Sequence, residues 1–289
     1  MESVIGVDIG GTKISVGKIA DNKLLEELCF STDAFRPAGM IIEDITQGIS
    51  QLMDPYVIGI GIGVPGLVDE AEGIAYDLTN IPSWKEVHLK KQIEKIFGKR
   101  VCVSNDANCF ALGEKMFGRG WKYNNLVGLT LGTGIGAGII INGKLYAGRL
   151  SIAGEFASIP YKDHNYEFYC SGKFFTEIYG ITGQDVYERA LSGDLKSIKI
   201  LDEYGTHLGN LIKTILLAVG PEAIVFGGSG AGSFRFFHKA MMDSINEFPF
   251  KRITQDLAIE VSQNAKINLL GAAALIYDQS LMSKNTIVV

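Results

Sequence analysis

The sequence predicts an α/β chain built on one plan used twice, and three observations carry that expectation. An apolar strand ending in a glycine turn opens a strand-rich stretch near residue 4, and another does so near residue 126. Each stretch is followed by alternating helical and buried-strand patterns, as expected of helices packed on a largely parallel sheet. The 35 glycines gather at the ends of these strand-like runs, where backbone can come close to a ligand.

In the first copy, "VIGVDIG" is a strand ending at Gly10-Gly11-Thr12, "KISVGKIA" is a second, and "LLEELCFS", after the turn "DNK", a third. This reads as an antiparallel meander. "MIIEDITQGISQLM" has helical periodicity, "YVIGIGIGVPG" is a buried strand, and "HLKKQIEKIFG" is an amphipathic helix closed by Gly98. The strand "RVCVSND" and the helix "ANCFALGEKMFG" complete the half. The second copy runs through "NLVGLTLGTG" and the hairpin "IGAGIIINGKLYAG", turning at Asn142-Gly143. A helical region follows from about 182 to 219, broken near Gly193. Then come the strand "EAIVFGGSG", the helix "FRFFHKAMMDSINEF", the strand "LAIEVSQ" and a closing helix "NLLGAAALIYDQSLM". We therefore expect lobes at 1–118 and 119–267, with the closing helix, about 268–284, packing back on the first.

Composition excludes several classes. A net charge of −5 with scattered charged residues argues against nucleic acid and anionic membrane as partners. No apolar run is long enough to cross a bilayer, and the N-terminus lacks the basic start of a signal peptide. A soluble cytoplasmic protein is expected. The four cysteines have no C-x-x-C spacing and read as reduced thiols.

Three phosphate motifs nearly match and fail on context. Gly61, Gly63 and Gly66 spell G-x-G-x-x-G, and Gly132, Gly134 and Ala137 its alanine variant. That fingerprint requires a helix directly after the glycines, whereas "LVDEAEG" and the strand "GIIING" follow. Residues 138–144 resemble a P-loop, but Leu145 stands where a metal-binding hydroxyl is needed. What remains is a pair of hairpin tips, "DIGGT" and "LGTGIGAG", at matching places in the two copies. Each offers backbone N–H groups and a threonine hydroxyl, so the pair could cradle a polyphosphate. Asp8 carries a charge suited to a water-bound Mg²⁺. By residue type alone, Asp106 could be no more than the N-cap of the helix it precedes.

The segments "IGVDIGGTKI", "GIGVPGLVD", "TNIPSW", "VSNDANCFALGE", "LGTGIGAGIIINGKLYAG" and "AGE" occur in the order seen in the ROK family of sugar kinases and repressors, which the chain resembles over essentially its whole length. The resemblance implies an actin/hexokinase-like (ribonuclease H-like) fold of two lobes, with duplicated βββαβα domains and ATP and a hexose in the cleft. It implies that Gly10, Gly11, Thr12 and Lys13 line the nucleotide-phosphate side with Asp8, that Gly132, Thr133, Gly134 and Gly136 form a second phosphate loop, and that Gly227, Gly228 and Ser229 approach the adenosine. It places Gly66 and Asn80 by the sugar, makes Asn105 and Asp106 the catalytic Asn-Asp pair, and matches Glu155 and Glu177 to two sugar-binding glutamates. A carboxylate at Asp106 would take the proton of the sugar hydroxyl, while Mg²⁺ and loop N–H groups stabilise the phosphoryl group. Relatives are commonly dimers or tetramers.

The chain departs from the family in one loop. Ser158 stands where the family has a histidine, and counting back from Glu177 puts Phe168, Cys170 and Phe175 at its three zinc-binding cysteines. One ligand of four remains, and His164 brings the total only to two, so no structural zinc is expected. The aromatics Phe156, Tyr161, Tyr166, Phe168, Tyr169, Phe174 and Phe175 could anchor the loop instead. The expected activity is ATP-dependent phosphorylation of the 6-hydroxyl of a hexose, glucose first, with N-acetylmannosamine or N-acetylglucosamine as the alternative acceptor. A sugar-responsive regulator is disfavoured, since the first glycine strand begins at Val4 and leaves no room for a helix-turn-helix.

Overall fold

The computed structural model describes residues 1–78 and 80–278. The chain forms two compact units. Unit 1 comprises 1–124, 138–153 and the chain from 263; unit 2 comprises 125–137 and 154–262. These changeovers compare with expected lobe limits after 118 and 267.

Unit 1 opens with the meander β1 (Ser3–Ile9), β2 (Lys13–Ala20) and β3 (Lys23–Ser31), followed by α1 (Ala38–Leu52) and β4 (Val57–Val64). Three short strands follow, β5 (Leu67–Asp69), β6 (Ile74–Tyr76) and β7 (Glu86–His88), then α2 (Leu89–Phe97), β8 (Arg100–Asn105) and α3 (Asp106–Phe117). The main sheet has the order β3-β2-β1-β4-β8. The meander pairs antiparallel, while β1, β4 and β8 run parallel. The β2–β3 turn places Asp21 and Asn22 at φ 48° and 61°, the twist that a two-residue hairpin prefers. The nearly unbroken apolar run of β4 marks a parallel strand covered on both faces.

Unit 2 contains β9 (Leu126–Leu131). The strand β10 (Ile135–Ile141) passes from unit 2 into unit 1 after Ala137, where its end pairs with β11 (Lys144–Leu145). Asn142 and Gly143 take φ 51° and 75° in that hairpin. A small hairpin follows, β12 (Pro160–Tyr161) and β13 (His164–Asn165), then α4 (Tyr166–Cys170) and a π-helical turn at Phe174–Ile178. The expected helical region forms α5 (Gly183–Leu191) and α6 (Leu195–Ala218), parted as expected at Gly193 with φ 85°. Asp194 caps α6 by accepting from Ser197 N–H at 3.0 Å. The unit ends with β14 (Ala223–Gly227), α7 (Phe234–Ile245), α8 (Lys251–Gln255) and β15 (Ala258–Val261). The second sheet has the order β11-β10-β9-β14-β15.

The closing helix α9 (Ile267–Ala274) belongs to unit 1 and packs on β1, β4 and α3. The part of it expected beyond 278 lies outside the described residues. Alternation puts Ile5, Val7 and Ile9 in one core with Ile41, Ile45 and Ile49 of α1, and turns Gly6 to the opposite face. There a Cβ on Gly6 or Gly61 would run into the Leu269 or Ala272 carbonyl. Where α3 crosses α9, a Cβ on Gly113 would meet the Ile267 carbonyl, and one on Gly271 the Cys109 carbonyl. On an exposed helix, Gly→Ala would gain up to about 1 kcal/mol. At Gly271 the collision is with rigid backbone, and overpacking costs about 1–3 kcal/mol. We expect Gly271→Ala to lower the urea midpoint and the melting temperature; an increase in either would show that the crossing yields easily.

Candidate functional site

In unit 1, the predicted acidic groups stand at the carboxyl ends of the parallel strands. Asp8 of β1 is in register with Gly63 of β4, and Asn105 ends β8 opposite Val64. Burial raises Asp8 to about 6, against a lowering by Lys13. The buried Cys109 thiol is pushed up by burial and then by the charges of Asp8, Asp106 and Glu70. The charges of all three carboxylates therefore reach the Cys109 thiol.

Asn105 is the cap of α3. Its Oδ1 accepts from Ala107 N–H at 2.8 Å and Asn108 N–H at 3.3 Å, and its Nδ2 donates to the Gly66 carbonyl at 3.1 Å. Asp106 is thus the first residue of the helix, and its Oδ1 accepts from Ala107 N–H at 2.9 Å. Its carboxylate sits at the positive end of the helix dipole. At the hairpin tip, a Cβ on Gly11 would lie 2.8 Å from the Asn80 Cβ, so the tip and Asn80 are brought together. Thr12 and Lys13 are exposed. Gly10 N–H is spent inside the turn, on the Lys13 carbonyl at 3.0 Å.

The matching tip in unit 2 does the same, with Gly132 N–H donating to the Gly134 carbonyl at 3.0 Å. These two N–H groups are satisfied within their own tips. Gly132 O accepts from Gly172 N–H at 2.8 Å, and Gly136 O accepts from the Thr130 hydroxyl at 3.4 Å. A pocket of about 360 Å³ opens beside this tip, lined by Gly132, Thr133, Lys173, Phe175, Tyr187 and Ser229 among others. Gly227 ends β14, and Gly228, at φ 77°, lies so close to Leu131 that a Cβ would strike its carbonyl. Of the pocket's walls, Gly172, Lys173, Phe175 and Tyr187 were not picked out from sequence as ligand-facing.

The aromatic loop separates the two predicted glutamates. Glu155 precedes the short turn Phe156–Ser158, and Ser158 is exposed. Partial burial, then the charge of Glu167, raises the Glu155 carboxyl. Glu177 is exposed on the π-helical turn, 3.5 Å from the Thr176 hydroxyl. The β12–β13 hairpin and α4 fill the stretch between the two predicted glutamates and bring in Glu167, whose charge reaches Glu155 and which the motifs did not single out. The visible signal was Asn165, an N-cap residue that places Glu167 in the first turn of α4.

At the positions matched to zinc ligands, Phe168 stacks on His164 at 4.0 Å, Cys170 is fully buried, and Phe175 packs on Tyr204 at 5.0 Å. Among the described residues, no group of three or more His, Cys, Asp or Glu is arranged to hold a metal ion. The aromatics converge on His207, which is 2% exposed. Its Nδ1 lies 3.1 Å from the Tyr161 hydroxyl. Burial, then the Lys162 charge, lowers it to about 4.

The chain matches the ROK family over residues 4–279 and belongs to it. It is 30% identical to the glucokinase of Thermotoga maritima, covering 96% of this chain and 98% of that protein. It is 28% identical to a xylose repressor of Bacillus subtilis, over 84% of this chain and 67% of the repressor. The structure of a ROK family glucokinase from Streptomyces griseus, in complex with glucose and AMPPNP, superposes with a TM-score of 0.80 at 27% identity, covering 94% and 98% of the two chains. The fold is actin/hexokinase-like, as the motifs led us to expect. Among the described residues, no helix is long and apolar enough to cross a membrane.

Two buried groups give opposite pH signatures. Asp8, at about 6 when folded against an ordinary 3.8, makes the folded state hold its proton longer, so its contribution to stability is lost as pH rises between those values. His207, at about 4 against 6.5, is protonated first in the unfolded chain, so stability is lost as pH falls through that window. In urea titrations, Asp8→Asn should gain on the parent by on the order of 2 kcal/mol between pH ~4 and ~7. His207→Gln should gain on it in the opposite direction. Parallel curves would show that neither group is buried as described.

Proposed function

We propose that the chain is an ATP-dependent sugar kinase that transfers the γ-phosphoryl group to the 6-hydroxyl of a hexose, glucose first. N-acetylmannosamine or N-acetylglucosamine is the alternative acceptor, with the same mechanism. The observation that carries this reading is the division of labour at the start of α3. Asn105 caps the helix, and Asp106, its first residue, sets its carboxylate at a rigid strand-to-helix corner.

In this mechanism Asp106 accepts the proton of the attacking hydroxyl as its oxygen bonds to phosphorus. Gly66, Asn80 and Asn105 line its surroundings for sugar, and Glu155 and Glu177, with Glu167 beside Glu155, accept hydrogen bonds from further hydroxyls. Ser158, shorter than a histidine, shapes that side of the acceptor site. Gly10, Gly11, Thr12 and Lys13 in unit 1, and Gly132, Thr133, Gly134 and Gly136 in unit 2, take the polyphosphate. Gly227, Gly228 and Ser229 take the nucleoside. Asp8 contributes one carboxylate at the end of β1, enough for an ion that keeps most of its water. Asp8 would hold Mg²⁺ through water, and the bound ion would supply charge neutralisation to the phosphates.

The likeness to a xylose repressor supports a second reading, a sugar-responsive regulator, which requires sugar binding without turnover. Coupled ADP release over glucose, N-acetylglucosamine, N-acetylmannosamine, fructose and allose separates the two, and no turnover on any sugar would sink the kinase reading. Asp106→Asn should lower kcat by about 10²–10⁴-fold while calorimetry shows sugar affinity nearly unchanged; near-normal turnover would remove Asp106 from the base role. Glu177→Gln and Glu167→Gln should each raise the sugar KM about tenfold. An unchanged KM in either variant would remove that glutamate from the acceptor site.

A further inference from the structure

The donor pocket of unit 2 and the loop bearing Glu155 meet at one side chain. Lys173 lines the pocket beside Gly132 and Thr133, and its Nζ lies 2.5 Å from Glu167 Oε1. Glu167 Oε2 faces Gly134, 3.5 Å from where a Cβ would stand, and the charge of Glu167 reaches Glu155. Backbone bonds hold the segment in place. Gly172 N–H donates to the Gly132 carbonyl at 2.8 Å, and Lys173 N–H donates to the Ser171 hydroxyl at 3.2 Å. Lys173 and Glu167 are thus paired at the wall of the pocket, beside a glycine tip.

This ion pair is poised for exchange. Its side chains are 51% and 32% exposed, and an ion pair open to solvent to that degree contributes little and breaks readily. A triphosphate brings more negative charge than a carboxylate and several strong acceptor oxygens. Lysine, a point charge on a flexible stem, can follow it without rebuilding the backbone.

We propose that Lys173 is a donor-binding residue that changes partners, pairing with Glu167 before the nucleotide arrives and with its polyphosphate afterwards. The exchange leaves Glu167 to accept hydrogen bonds from the sugar. Donor and acceptor carboxylate thus compete for one cation, and donor binding prepares the acceptor side. This rests on the kinase reading above, and specifically on the pocket being the nucleotide site.

Calorimetry on the full chain with Mg·ATP and with adenosine tests it. Lys173→Met should weaken ATP binding about tenfold and leave adenosine unchanged, and Lys173→Arg should restore most of the loss. Glu167→Gln removes the competitor and should tighten ATP, a gain that disappears in the Lys173→Met/Glu167→Gln double variant. If ATP affinity is the same in the parent, in Lys173→Met and in Glu167→Gln, all with the parent's melting temperature, the exchange is overturned and the kinase reading stands. If the parent binds no ATP, both fall.

Discussion

The bare backbone contact between α9 and the main sheet of unit 1 is the constraint on which the acidic site depends. With no side chain at Gly6 or Gly61, the helix carbonyls of Leu269 and Ala272 lie directly over β1 and β4. With none at Gly113 or Gly271, α3 is drawn against the same helix. The strand end that carries Asp8 and the corner that carries Asn105 and Asp106 are thereby set by one element. A bulkier contact would tilt strand ends and helix together, and phosphoryl transfer is sensitive to displacements of about 1 Å.

Unit 2 meets the same need by other means. Tyr161 stacks on Tyr166 at 4.4 Å, Tyr166 shares a hydrogen bond with Thr214 at 2.8 Å, and Tyr161 takes one from Asn210 at 3.0 Å. The neutral His207 ring is packed among them. Glu167 follows Tyr166 directly, so its backbone rides on this cluster. Rigid rings lose little conformational freedom when buried. Several of them against a long helix such as α6 are a physical substitute for cross-linking a loop through a single central atom.

The long elements were legible because their signals are local. The meander could be read from its turn residues, the parallel strands from unbroken apolar runs, and the break between α5 and α6 from Gly193. The strands β5, β6 and β7 have three residues each, too few for a period to show. The donor tips were visible as glycine clusters, but which N–H groups a tip spends on itself depends on turn geometry. The approach of Glu167 to Glu155 went unseen for a related reason. Spacing along a loop measures distance in space only if the path is known, and a two-residue-stranded hairpin altered the path. Lys173 gave no signal at all, because a lone lysine in a sequence says nothing of what faces it.

The discontinuity of unit 1 bears on how the protein is made. A ribosome delivers β1, β4 and α3 before α9, and all of the unit 2 segment 154–262 emerges in between. The sheet face that α9 covers stays uncovered while that segment is made. Completion of the first unit therefore waits on the synthesis of the second, since non-local contacts form only when both partners have been synthesised. A chain stopped just short of α9 would lose the order of its beginning along with its end.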